Sequence, residues 1–344
     1  IRNKKGDYIM TKGTKIFRIV VCVLLALTML WSAICGVALI LGGKHLVLTA
    51  VYDIMVAGVH VTRNNKDDVL GDGTVYYDAQ NNILTFNNAT IESADWSVYS
   101  NIDLNIQLIG ENKFVCNNEE YSAGVYVSDY YLSKDLAFFG DGSLIIEFPN
   151  ESAEAVGIFA SELKVMSDVT VKTSNCENKL HGIVCDSSLL VAEKGTVTVN
   201  NGAAKNSVGV RVRGNALFEE GTSLNVSVNP GTTEICKGLG VSGDVFLGKD
   251  TSLEVSVDDE ATDRGECIRV SGLMEIGNGS TVKASAKNAN AIECFGAVEA
   301  NKGAAISASS EKKDHDIFCS GAVVNYGATF DGEIDAIGGI HNRD

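Results

Sequence analysis

The chain has 344 residues, 45% of them hydrophobic, with 35 glycines against 2 prolines. That balance, with abundant Val, Thr, Ser and Asn, points to β structure with glycine-assisted bends. The net charge of −16 is unevenly placed, since residues 1–45 carry +6 and the rest therefore −22; so acidic a body weighs against a nucleic-acid partner, because phosphate binding needs a basic face.

Lys4-Lys5-Gly6-Asp7 back-translates to a purine-rich, ribosome-binding type of sequence just before Met10, and residue 1 is Ile. Two readings stand: residues 1–9 are translated leader in a bacterial gene, or residues 1–18 are simply a basic cytoplasmic tail. Ile19 to Gly43 is uncharged for 25 residues. That exceeds the ~20 residues needed to cross a bilayer and the ~7–15 of a signal-peptide core. Lys12, Lys15 and Arg18 precede it, so the N-terminus is expected inside and the bulk outside the plasma membrane. No small-residue cleavage site closes the segment, and Ile34 beside Cys35 spoils a lipoprotein signal. The expectation is an uncleaved, single-pass signal anchor over 19–43. A cleaved export signal is the alternative.

Residues 44–95 are predicted to be a linker and an N-terminal β cap. Alternating bursts lie at Ile54–Val61, Thr74–Tyr77 and Ile83–Phe86, with turns at Gly71-Asp72-Gly73 and Ala79–Asn82. A cap here would cover a sheet edge otherwise open to aggregation. The stretch DIMVAGVHVT…DVLGDGTVYYDAQNNILTFNNATI resembles the N-terminal module of β-helical surface proteins from gut-type Gram-positive bacteria, often described as carbohydrate-binding domain proteins. The resemblance covers that module well and the remainder only as pattern. It implies a cell-surface, glycan-binding role and carries no site residues.

From residue 96 to 344 the chain repeats. A small–apolar–x–apolar pattern begins at Ser97, Gly124, Gly157, Gly182, Gly209, Gly238, Cys267, Ala291 and Asp316, at spacings of 24 to 33. Within eight units an apolar residue of the second burst is followed six positions later by one in the third, from Leu108/Phe114 and Phe138/Leu144 to Ala300/Ile306. Three short strands per unit cannot bury their apolar faces alone, but stacked as coils they line one core. The predicted fold is an all-β, parallel, right-handed β-helix (solenoid) of about nine coils. At roughly 4.8 Å per rung it is about 40 Å long. Length variation is expected at the corner after the third strand.

Catalytic β-helices need paired carboxylates or acid clusters on one face. The outward position of the first strand reads Tyr99, Tyr126, Phe159, Val184, Arg211, Gly240, Arg269, Glu293, Phe318, with no acidic pair on neighbouring rungs. Asp186, near His181, reads better as a solvated corner residue than as a catalytic acid. The expectation is a non-enzyme. The same column is the binding candidate: Tyr126 and Phe159 for stacking on sugar rings, with Arg211, Arg269, Tyr130 and Tyr131 flanking them. The competing reading is that loops roof these aromatics. Asp67/Asp68/Asp72 and Asp258/Asp259/Glu260 lack calcium-loop spacing, so Ca²⁺ has no motif behind it and no cofactor is expected.

The nine cysteines include no C-x-x-C pair; Cys185, Cys294 and Cys319 are expected to point inward as free thiols. Three functions remain open. One is a glycan binder or adhesin for cell-surface, dietary or host glycan, and another is a self-associating module acting through the solenoid end. The last is a polysaccharide lyase or glycoside hydrolase.

Overall fold

The structure, a computed structural model, describes residues 51–129, 132–229, 234–258, 265–311 and 315–343. The tail, the expected anchor at 19–43, Tyr130, Tyr131, Asp259 and Glu260 lie outside the described residues. Among the described residues no helix is long and apolar enough to cross a membrane.

One unit shows how the sequence makes the coil. Asn206–Val212, Ala216–Phe218 and Ser223–Val228 are three strands. Val210, Val212, Ala216, Phe218, Leu224, Val226 and Val228 are all buried, because period-two alternation sends them to one side. Leu217, Asn225 and Ser227 alternate with them on the outside. Each strand pairs in parallel with its counterparts above and below: Val210 lies opposite Ile183 on one side and Leu239 on the other.

Repetition of this unit builds three sheets of twelve, twelve and ten strands, wound as an all-β parallel solenoid around one continuous core. About eight turns are complete, from Trp96–Ser100 through Ala305–Ser310. This corrects the expected nine. The ninth repeat forms only three-residue strands, and its third, Thr329–Asp331, has no buried residue. Before the turns, Val51–Val56 pairs antiparallel with both Val59–Thr62 and Trp96–Ser100. Val75–Asp78 and Ile83–Asn87 form a second hairpin. Ile83–Asn87 and Thr90–Ser93 already pair in parallel with the strands of the first turn.

The small residue that opens most units now has a cause. Gly124, Gly157, Gly182, Gly209 and Gly238 stack at a bend of the first sheet. A Cβ at Gly238 would lie 2.6 Å from the Cys267 carbonyl oxygen and 2.3 Å from Val255 Cγ1; the other four are equally crowded by the next rung and by an Ile or Val of the third sheet. Where the ladder reaches Cys267 and Ala291, the facing third-sheet position, which is Val226 and Val255 in the preceding turns, becomes Ala284 and then Ala308. Volume is thus conserved across the bend.

Two spacing expectations need correction. Phe138 lies opposite Ile106 and Val165, while Leu144 lies opposite Asn112 and Val169. The six-residue corner therefore shortens to four residues in the third turn, Val165 to Val169. In the first turn it is spanned by Ile106 and Asn112, not Leu108 and Phe114. Corner length also varies after the first strand. In the second turn the segment from Ser128 to Asp135 is an insertion, closed by a Ser128–Ser133 bridge and a 2.9 Å Asp129–Lys134 ion pair.

The seven described cysteines are buried, and no disulfide joins them. Cys294 and Cys319 sit directly opposite on neighbouring rungs, each Sγ within 3.3 Å of a backbone carbonyl. Burial pushes the Cys185 thiol well above its usual range.

Candidate functional site

The outward column of the first sheet is continuous in register. Tyr99 faces Tyr126, Tyr126 faces Phe159, then Val184, Arg211, Gly240, Arg269, Glu293 and Phe318 follow rung by rung. Parallel pairing without slippage makes this ladder: each outward side chain is set about 4.8 Å from the next.

Its N-terminal end is aromatic. The Tyr126 and Phe159 rings stack with centroids 4.7 Å apart and planes 12° from parallel; Tyr99 and Tyr126 stack at 6.2 Å and 13°. Trp96 leans on Tyr99 at 5.0 Å. All four rings are half-buried, so part of each remains open to solvent. Burial also raises the Tyr126 and Tyr121 phenols, which keeps them neutral hydrogen-bond donors at ordinary pH. The insertion after Tyr126 carries Leu132, 66% exposed; Tyr130 and Tyr131, which it also bears, lie outside the described residues.

Beyond Phe159 the character changes. Val184 is buried and separates the aromatic rings from an ionic end. Arg269 bonds Glu266 at 2.5 Å, lies 3.9 Å from Glu293, and places its guanidinium 4.9 Å from the Phe295 ring centre. Lys237 pairs with the same Glu266 at 2.8 Å. Arg211 has no ion pair among the described residues, and its Nε, withdrawn from solvent, has no hydrogen-bond partner. Between the two arginines, Gly240 leaves the column open: a Cβ there would meet nothing within 4 Å. The resulting depression holds about 230 Å³ and is lined by Val208, Arg211, Lys237, Gly240, Glu266 and Arg269, among others.

Of the six residues singled out from the sequence, the structure joins Tyr126 with Phe159 and sets Arg211 and Arg269 on either side of Gly240. It parts the two pairs by Val184. Asp186 is held by Arg213 at 3.1 Å. His181 lies one rung from Val208 on the outward face; burial and then Arg211 push it down to about 4.

Lys237 and Glu266 were missed. They occupy a second outward column, Trp96, Ala123, Val156, His181, Val208, Lys237, Glu266. It lies three positions before the first, where strict alternation points inward. The bend at the glycine ladder reverses that parity. Tyr99 was legible as an outward aromatic and the notch as the one glycine in the column, whereas Trp96, in the parity-reversed column, was not. Among the described residues no group of three or more His, Cys, Asp or Glu is placed to hold a metal ion. No family model, curated protein or solved structure matches the chain.

Proposed function

We propose that the protein is a surface-displayed β-solenoid, anchored through residues 19–43, that binds cell-surface, dietary or host glycan, or acts as an adhesin, through the outward column of its first sheet. It does so without catalysis and without a cofactor. The observation that carries this reading is the partly exposed aromatic ladder of Tyr99, Tyr126 and Phe159, near-parallel rings stacked at rung spacing. The solvent-facing edges of the stack give an apolar strip against which sugar C–H groups pack, while neighbouring arginines serve hydroxyl or acid groups. The test is retention of the full chain, in mild detergent, on a panel of insoluble glycans. Tyr126→Ala and Phe159→Ala should each lower retention by about fivefold or more, the loss of roughly 1 kcal/mol or more expected for an aromatic contact. Equal retention by the variants would reject this surface.

A second reading, self-association through the end of the solenoid, draws on Ile337 and Ile340, 72% and 50% exposed beside short terminal strands. Light scattering separates the two: a mass that grows with concentration, unaffected by glycan, favours association.

A further inference from the structure

We propose that the notch at Gly240 is a subsite for the carboxylate of an acidic sugar. The inference rests on the glycan reading of the same face and names the ligand class that it takes.

The outward column loses its side chain at one rung, and the neighbours on both sides are arginines. The space is open rather than filled from another element, as the absence of any atom within 4 Å of a Cβ at Gly240 shows. Val208 and Val241 give the depression an apolar floor, and Ser242 and Ser271 give it hydroxyls. That combination suits a sugar ring carrying one charged group.

Charge makes the stronger case. Arg211, Lys237 and Arg269 line the notch with one carboxylate, Glu266, in a chain whose net charge is −16. Glu266 engages both Lys237 and Arg269, which restrains two flexible side chains along one wall. Arg211 is left un-neutralised among the described residues. An arginine with no internal carboxylate, beside an open space, is the group that gains most from an incoming carboxylate, because the planar guanidinium offers paired donors.

Densely charged polyanions are disfavoured by the acidic body around the notch. A sugar acid, with at most one charge per ring, is disfavoured far less. The aromatic ladder begins two rungs from Arg211, at Phe159, about 10 Å along the axis. One extended oligosaccharide can therefore lie along the ring edges and reach the notch.

The probes are short galacturonate, glucuronate and mannuronate oligomers and their methyl esters, titrated calorimetrically into the full chain in mild detergent. The ester keeps the sugar and removes the charge. For at least one of the three, the free acid should bind about tenfold to a hundredfold more tightly than its ester, the range of a charge-assisted contact. Arg211→Gln should abolish that preference. Gly240→Leu should abolish it too by filling the notch; its side chain enters open space, so its melting temperature should match the parent's and a folding defect is separable.

Acid and ester bound equally in all three series would overturn the subsite and leave the glycan reading standing. A preference that survives both substitutions would also overturn it. Failure to bind any glycan, on the insoluble panel or in solution, overturns the glycan reading and the subsite together.

Discussion

His181 illustrates what one residue on this face experiences. Burial, Arg211 and Lys179 all disfavour its charged form, so its folded value falls from 6.5 to about 4. A group whose folded value is depressed binds protons more readily in the unfolded chain. As pH falls below about 6.5 the unfolded state gains a proton that the folded state refuses until about pH 4. The neutral imidazole is therefore compatible with full stability above pH 6.5. Stability is lost through the window down to about pH 4, by about 2–3 kcal/mol. His181→Gln should lack this component. Urea midpoints of parent and variant should diverge between pH 7 and pH 5, with the parent losing more; an unchanged difference would show that the imidazole does not report its surroundings this way. At this scale the sequence made Tyr126 and Phe159 visible, because outward aromatics stand out against period-two alternation. It hid Lys237 and Glu266, because a bend at a glycine flips the parity that alternation assumes.

At the scale of the element, the glycine ladder and the third sheet form one packing unit. Gly238 opposes Val255 with no room for a methyl group, whereas the next turn opposes Cys267 to Ala284. Gly238→Ala should destabilise by about 1–3 kcal/mol through overpacking. Val255→Ala alone should also destabilise, by leaving a cavity. Combined, the two should be less harmful than their sum by about 1 kcal/mol, as equilibrium denaturation of all four proteins would measure. Strict additivity would contradict the steric account. The repeat itself was readable because each coil must lie on the last. Its corners were read less well: only pairing register shows that the third turn closes Val165 to Val169 in four residues, and that the second turn expands at Ser128–Asp135. Apolar spacing alone cannot distinguish Leu108 from Ile106 as the last partner before a corner when both are buried.

Across the whole solenoid, each turn is stabilised by its neighbours, so local stability follows position and strand length. The last strands, Ile334–Ala336 and Ile340–Asn342, have no buried residue, whereas Ser223–Val228 buries Leu224, Val226 and Val228. Hydrogen exchange should be fastest over residues 334–342 and slowest in the middle turns. Uniform protection would mean that the turns open only together. The overall architecture was legible because nine imperfect copies average out local noise, while the shortfall to about eight turns reflects a last repeat whose third strand lacks an inward triplet. The separation of inward from outward positions has a bearing on how such a surface changes over time. Inward residues are bound by reciprocal volume, so they change in matched pairs or not at all. Outward residues touch mainly the rung above and below, so a ring can become a charge, or a charge a gap, without redesign of the coil. Specificity on this face is therefore free to drift by single substitutions while the scaffold stays fixed, and related chains are expected to share the interior and differ along the column.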